Sequence, residues 1–426
     1  MSFSSLGIPE ISLRHLKALM YVARLRNLTK AADLLNRSQT AITRAISELE
    51  SDLGVELFDR SSKGMTPTAH GNILVKRVER VAAEFEAAGE AYINYKKGAQ
   101  QNNNPVFSME ISYKRLAALI ALHDRKDIGA AANLLGITRA AVYSSIRQVE
   151  SLLDLSIFER SPYGFSSTTF CRVLVRHLKL AFSQLRHAID ELASLDGVMS
   201  GHLVVGTLPY TRTYLTPRAI NRLMEEHPAL QISTREGSYD MLEAELRSGE
   251  LDLIVGAIRD IDPLDDLKTE QLFEDYLSVI VRKGHPLENK AQLNFADLQI
   301  YPWVLPAANS PSRKIFNKLL ESAGLAQPEN FVETSSLSNV RGLLMDSNRL
   351  ALLSEHQIYY EKKYGILTAL NIKLEGSDRP IGVTLRAHTP PSPAAKLFLE
   401  VLRQVSAELV ANEDKTRVAS LSNFSF

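Results

Sequence analysis

The chain repeats itself at an offset of one hundred residues. Ile11–Thr68 aligns with Ile111–Thr168 without a gap, and about a third of the paired positions are identical. The identities include Leu16/Leu116, Ala18/Ala118, Leu19/Leu119, Ala31-Ala32/Ala131-Ala132 and Leu34-Leu35/Leu134-Leu135. They continue through Ala41/Ala141, Ile46/Ile146, Glu50-Ser51/Glu150-Ser151, Phe58/Phe158, Arg60-Ser61/Arg160-Ser161 and Gly64/Gly164. Two unrelated amphipathic segments would not hold register over such a length. The two stretches are therefore expected to share one fold.

Each copy reads as three helices and a wing. In the first, Leu16, Leu19, Met20 and Ala23 recur at helical spacing. Thr29 is a suitable N-cap for a second helix, 30–35, and Ser38 for a third, 39–53, which Gly54 ends. A short strand over 55–58 and a turn over 61–64 form the wing. A tight turn between two helices places the second helix in a DNA major groove. Its cap and outward face carry Ser38, Gln39, Thr40, Thr43 and Arg44, with Lys63 in the wing. Glutamine can pair bidentately with adenine, and arginine with guanine or a phosphate. An ordinary polar surface on a small helical domain would look the same from spacing alone.

The segments Leu28-Thr29-Lys30-Ala31-Ala32-Asp33-Leu34-Leu35, Ser38 to Ile46 and Leu49 to Arg60 resemble the LysR family of transcription regulators. Thr40 departs from the proline that the family often carries there. The second copy is a weaker match. Thr138-Arg139-Ala140-Ala141 replaces the Ser-Gln start, Ser144 stands where Arg44 stood, and Asp154 replaces the glycine after the helix. Its apolar positions are kept, so the fold should survive while base readout changes. Arg139, Tyr143 and Arg147 remain available for DNA, unless this copy is only a scaffold or dimerisation module.

A long helix is expected after each wing. Leu74, Val78, Val81, Phe85, Ala88 and Tyr92 recur at alternating four- and three-residue steps, as do Leu174, Leu178, Ala181, Leu185, Ala188 and Leu192. Such narrow apolar seams suit helix–helix pairing. In LysR-like proteins this helix pairs between chains; here one chain owns two, so helix 68–93 can pair with helix 168–193 in the same chain. Pairing between chains is the competing arrangement. The polar stretch Lys96–Asn104 reads as a flexible connector.

From Gly201 the pattern alternates strands and helices, which argues for an α/β sheet. Gly201-His202-Leu203-Val204-Val205-Gly206, His227-Pro228 and Leu246 to Ile254 resemble the LysR effector domain, itself similar to type 2 periplasmic binding proteins. Leu208-Pro209, Gly284-His285-Pro286-Leu287, Tyr301 to Pro306 and Glu333 to Leu337 narrow the likeness to the subgroup named for a regulator of a galactose-binding protein. Regulators of aromatic-acid catabolism have very similar domains. The resemblance implies a ligand held between two lobes, where helix N-termini offer free N–H groups. Thr207, Tyr210, Thr211, Ser238, Ser310, Arg313, Thr334 and Ser336 are the candidates, for a sugar or an aromatic or organic acid. Ser238, Ser312 and Ser336 would also serve simply as helix caps. Arg212 or Arg313 could neutralise an anion, and Trp303 reads as core.

The expected architecture is thus multidomain. It has two tandem all-α winged helix-turn-helix modules with linker helices, then an α/β two-lobed periplasmic-binding-protein-like domain. The boundaries are 1–67, 68–97 (linker helix), 98–107 (connector), 108–167, 168–197 (linker helix), 198–410 (effector-binding) and 411–426 (disordered tail). The partners implied are double-stranded DNA, a small-molecule effector, RNA polymerase and further copies of the chain as a dimer or tetramer.

Composition bounds the remaining possibilities. Cys171 is the single cysteine, which excludes an internal disulfide and a multi-cysteine zinc site and fits a reducing compartment. The net charge is +0, so DNA binding must come from local basic surface. No signal peptide or bilayer-length apolar run is evident, and a cytoplasmic location without membrane attachment is expected. No cofactor or metal is expected, because there is no Walker glycine loop, no paired-histidine motif and no Gly-x-Ser-x-Gly elbow. His285 is expected in an exposed turn, a poor place for acid–base work. An enzyme is therefore not expected. The alternative is a cytoplasmic small-molecule-binding protein whose helix-turn-helix copies serve only oligomerisation.

Overall fold

The structure is a computed structural model. It describes the backbone of residues 10–61, 64–96, 104–162, 164–197, 199–259, 266–290 and 292–422, and the side chains of these except 60–61 and 412–422. Two compact units are present, Met1–Gly201 with Arg247–Glu250, and His202–Leu246 with Leu251–Phe426.

The first unit contains the same series of elements twice. α1 (Leu13–Leu25), α2 (Leu28–Leu34), α3 (Gln39–Leu53), β1 (Phe58–Ser61), β2 (Gly64–Pro67) and α4 (Ala69–Tyr95) are followed by α5 (Tyr113–Arg125), α6 (Ile128–Leu135), α7 (Arg139–Leu153), β3 (Phe158–Ser161), β4 (Gly164–Ser167) and α8 (Thr169–Leu195). Every one of these helices begins at a side-chain cap: Ser12, Asn27, Ser38 and Thr68 in the first series, Ser112, Asp127, Thr138 and Thr168 in the second. Each such cap contributes about 1 kcal/mol. The cap of α2 is Asn27 rather than the expected Thr29, which lies inside the helix. The wing strand is 58–61 rather than 55–58, because the hairpin register pairs Phe58 with Pro67 and Ser61 with Gly64.

One detail of the wing is common to both series. The chain leaves α1 through Arg26 at φ 50° and leaves α5 through Lys126 at φ 55°. The freed carbonyls accept from Met65 N–H (3.3 Å) and Phe165 N–H (2.8 Å). Gly64 (φ +114°) and Gly164 (φ +111°) precede these donors, and a Cβ on either would stand 2.5 or 2.4 Å from the same carbonyl oxygen. Only glycine fits so close an approach at that φ.

α4 packs along α8. All twelve seam residues expected from the spacing are buried. Polar contacts cross the seam reciprocally. Arg77, with a side chain only 3% exposed, donates to both oxygens of Glu191 (3.1 and 2.6 Å) and to Gln184 (2.7 Å). His177, the counterpart of Arg77, pairs at 2.8 Å with Glu84, the counterpart of Gln184. Further along, Tyr92 Oη donates to the Leu153 carbonyl at 2.6 Å and Lys96 pairs with Asp154 at 2.7 Å.

The expected connector 98–107 lies partly outside the described residues. Its end corrects the expectation of flexibility: Val106 and Phe107 are buried, and the Phe107 ring sits 5.3 Å from that of Tyr92. Beyond it, Glu110 accepts from Arg14, Lys17 and Arg37, tying the segment before α5 to the first series.

The second unit is built on one nine-stranded sheet. In chain order its elements are β5 (Gly201–Thr207), α9 (Leu215–Glu226), β6 (Leu230–Glu236), α10 (Tyr239–Arg247), β7 (Leu253–Ala257), β8 (Leu267–Arg282), β9 (Trp303–Leu305), α11 (Pro311–Ser322), β10 (Phe331–Glu333), α12 (Leu337–Met345), β11 (Leu350–Ser354), α13 (Tyr359–Lys363), β12 (Leu367–Ala369), β13 (Asp378–Arg386) and α14 (Pro393–Ser422). The strand order is β10-β9-β11-β8-β13-β7-β5-β6, with β12 also on β8. β8, expected only over 276–282, is 16 residues long. It pairs with β13 along 267–276 and with β11 along 277–280, and so joins two lobes. Each lobe has its own core, one around Leu242, Leu246 and Ile254, the other around Trp303, Phe316 and Leu350.

Trp303 is core as expected, with Phe316 at 4.8 Å. His285 is not in an exposed turn. It is 2% exposed, its Nε2 lies 3.2 Å from the Asn348 carbonyl, and its Nδ1 accepts from Leu287 N–H. The expected disordered tail, 411–426, continues α14 as far as 422, and 423–426 lie outside the described residues.

Candidate DNA-binding and effector-binding sites

Ser38 Oγ accepts from Ala41 N–H and lies 2.9 Å from Thr40 Oγ1, so both hydroxyls are engaged at the start of α3. Thr43 Oγ1 donates to the Gln39 carbonyl. Gln39 is exposed. Arg44 projects from the same helix, 82% exposed, but its Nε donates at 2.6 Å to Glu48 one turn on. That bond raises the Arg44 guanidinium further and holds the Glu48 carboxyl below its usual range. Lys63 lies outside the described residues.

On α7 the corresponding face differs. Arg139 and Arg147 are exposed, and Tyr143 is half-buried. A residue not anticipated from the sequence completes this surface. Arg160, on β3, donates to Tyr143 Oη at 3.1 Å, and its guanidinium carbon sits 5.4 Å from the Tyr143 ring and 5.6 Å from the Phe165 ring. The repeat showed that Arg160 matches Arg60, but not that a tyrosine would hold it.

In the second unit, the two lobes enclose a cavity of about 120 Å³. Of the eight expected effector residues, Tyr210, Ser310 and Thr334 line it. The others do not. Thr207 and Thr211 are buried and bond to the Arg235 carbonyl and to the Leu208 and Val255 carbonyls. Ser238 and Ser336 are taken up in capping α10 and α12. Arg313 is drawn off by the Pro306 carbonyl and Glu333, and Arg212 by the Thr207 carbonyl and Glu236.

The cationic groups that do reach the cavity are Arg259 and Arg379. Arg379 Nη1 donates to Ser312 Oγ at 2.7 Å, its Nε to Asp275 Oδ2 at 3.0 Å, and its guanidinium lies 5.0 Å over the Tyr210 ring. Burial pushes the Asp275 carboxyl up, opposed by Arg379 and by the Ser354 hydroxyl 2.6 Å away. Arg259 stacks 5.0 Å over Tyr239, and burial lowers its guanidinium. Its Nε is buried with no hydrogen-bond partner among the described residues. Leu208, Val304, Leu305, Leu337 and Val340 supply apolar wall. The site offers one cation paired with Asp275 and a second, Arg259, near Asp240, between apolar wall and the polar side chains of Ser310, Ser312, Thr334, Ser335 and Gln357.

Among the described residues, no group of histidine, cysteine, aspartate or glutamate could hold a metal ion, and no helix is long and apolar enough to cross a membrane.

A recognition helix with an adjoining wing, followed by a two-lobed α/β domain around a small cavity, defines a DNA-binding regulator with a ligand-binding domain. The chain belongs to the LysR family of transcription regulators. The family model described as the bacterial regulatory helix-turn-helix protein of the LysR family matches residues 13–72 and again 113–172, and the LysR substrate binding domain matches 196–407. The transcriptional regulator GalR of Pseudomonas putida is 33% identical over 397 residues, spanning 93% of this chain and 98% of that one. The regulator PcaQ of Agrobacterium fabrum is 27% identical over 299 residues, 70% of this chain and 96% of its own. In fold, a full-length OxyR variant of Pseudomonas aeruginosa matches 70% of this chain and 94% of its own with a TM-score of 0.53 at 21% identity. CbnR, solved with its target DNA, matches 69% of this chain and 100% of its own, with a TM-score of 0.51 at 17% identity. The protein is a DNA-binding transcription regulator with an effector-binding domain, and these relatives are named as regulators rather than enzymes.

Proposed function

We propose that a single chain carries two unlike DNA readers, paired in cis through their linker helices, and one periplasmic-binding-protein-like effector domain. The observation that carries this reading is the α4–α8 seam, whose buried Arg77 finds Glu191 and Gln184 in the same chain. The relatives support it. PcaQ, at 96% of its own length, accounts for only 70% of this chain, whereas GalR extends over 93%. Two different recognition faces read two non-identical half-sites of double-stranded DNA, in a fixed order. Chains associate further through other surfaces into a dimer or tetramer, act in the cytoplasm, and present the complex to RNA polymerase. A DNase footprint on the upstream region tests the reading. Arg44→Ala and Arg139→Ala should each erase a different part of the protection. Loss with Arg44→Ala alone would leave the second copy a scaffold.

The effector is a small organic-acid anion rather than a sugar. Arg259, whose Nε has no hydrogen-bond partner among the described residues, supplies a cation beside apolar walls, and the cavity is well below the roughly 300–1,000 Å³ of a drug-sized site. Binding selects one arrangement of the effector domain, and the linker helices transmit it to the readers. Thermal-shift titration with single-ring aromatic carboxylates and with monosaccharides separates the two classes. Arg259→Gln should abolish stabilisation by the acids, and stabilisation by a sugar alone would reverse the assignment.

A further inference from the structure

We propose that the two readers divide their labour: the second, whose sequence departs further from the family, is the phosphate clamp, and the first is the base reader. The inference rests on the reading that both copies touch DNA, and assigns what each one grips.

The groove between α7 and β3 is lined by Tyr143, Ser144, Arg147, Gln148, Ser151 and Arg160, with no carboxylate among them. Two guanidiniums, hydroxyls and an amide make a donor-rich surface suited to phosphate oxygens. Arg160 is held in place before DNA arrives, with its planar head against two aromatic rings and one N–H on Tyr143 Oη. A cation fixed in this way loses less conformational freedom on binding than an exposed, mobile arginine. Arg147 has no carboxylate partner among the described residues and faces solvent.

The first reader keeps Ser51 and Arg60 at the positions of Ser151 and Arg160 but differs at the other four, where Arg44 stands for Ser144. Thr43 stands for Tyr143 and Ser47 for Arg147. Glu48 stands for Gln148 and pairs with Arg44 at 2.6 Å. Any phosphate approaching Arg44 competes with a carboxylate already in place and is repelled by it. A base edge suffers no such repulsion, because it is neutral. Gln39, Thr40 and Arg44 beside Glu48 therefore discriminate among bases but add little attraction for the backbone.

Backbone neutralisation releases counterions, so log affinity falls with log salt by about 0.9 for each phosphate engaged. Base contacts leave this slope nearly unchanged and alter the ratio of specific to non-specific binding instead. Fluorescence anisotropy of the full chain is measured on a duplex holding the footprinted site and on a scrambled duplex, from about 50 to about 200 mM KCl. The double variant Arg147→Gln/Arg160→Gln is expected to flatten the slope by about two and to weaken both duplexes together, by about tenfold or more. Gln39→Ala/Arg44→Ala is expected to weaken the specific duplex alone and keep the slope. Arg147→Gln by itself sits on an exposed position, cannot disturb the wing, and should account for about half of the change in slope.

An unchanged slope in the double variant, with a footprint still covering both half-sites, overturns the clamp and leaves the two-reader arrangement standing. A wild-type footprint over one half-site overturns both. A loss confined to the specific duplex would assign Arg147 and Arg160 to base readout and also overturn the division.

Discussion

Position 43 is threonine in the first module and position 143 is tyrosine in the second. Arg44 becomes Ser144, Ser47 becomes Arg147 and Glu48 becomes Gln148. Over the same helices, Ile42 and Val142, Ile46 and Ile146, and Leu49 and Val149 stay apolar and buried. The caps, the αL corner and the wing glycine are also retained. The comparison separates two layers of information in one helix. Inward positions and backbone corners determine that a winged module forms. Outward positions determine what it binds, and they have changed while the inward positions have kept the fold.

The comparison can be broken most severely at the wing. Gly64→Ala and Gly164→Ala each force a Cβ to within about 2.5 Å of a helix-end carbonyl, in a conformation that alanine avoids. Backbone strain and clash together should cost roughly 3–5 kcal/mol. Each variant should erase its own half of a DNase footprint. Identical footprints from both would mean that the modules do not act separately.

Next in size is the seam, which both modules share. Arg77→Leu removes the buried guanidinium that bonds both oxygens of Glu191 and should destabilise the N-terminal unit by about 3 kcal/mol. Arg77→Leu/Glu191→Leu should recover most of that loss in urea unfolding of the full chain, because a replaced pair is less costly than a broken one. Both footprint halves should weaken together. Loss of one half alone would show that the seam supports a single module.

The smallest effect is expected at Glu48. Glu48→Gln frees Arg44 and makes the first reader resemble the second at that position. Affinity should rise by about two- to threefold, and the salt slope should steepen by no more than about one. A drop in affinity would show that Glu48 itself contacts DNA, through a cytosine amino group.

Much of the N-terminal fold was legible because a repeat doubles every signal. All twelve seam positions followed from spacing, and the bounds of α3 followed from Ser38 and Gly54. Errors arose where two residues could do the same job. Asn27 and Thr29 both suit an N-cap, and the sequence does not say which carbonyl starts the helix. Val55 to Phe58 reads as a strand by composition, yet pairing begins only at Phe58. The cavity was least legible. Asp275 and Arg379 are 104 residues apart, Ser354 lies 79 from Asp275, and Ser312 lies 67 from Arg379. No local spacing links them; β8 and β13 bring them together only after the sheet has formed. A hydroxyl at a helix start reads the same whether it only caps or also faces the cavity: Ser238 and Ser336 cap and do not line it, whereas Ser310 does both.

The α4–α8 seam also sets how occupancy depends on supply. When two readers reside on separate molecules, a weak dimer makes promoter occupancy rise with the square of their number at low abundance. On the two-reader proposal, readers already joined on one molecule remove that pairing step, so occupancy depends on supply only through whatever further association of chains follows. One fewer encounter between molecules then stands between synthesis of the chain and a filled site.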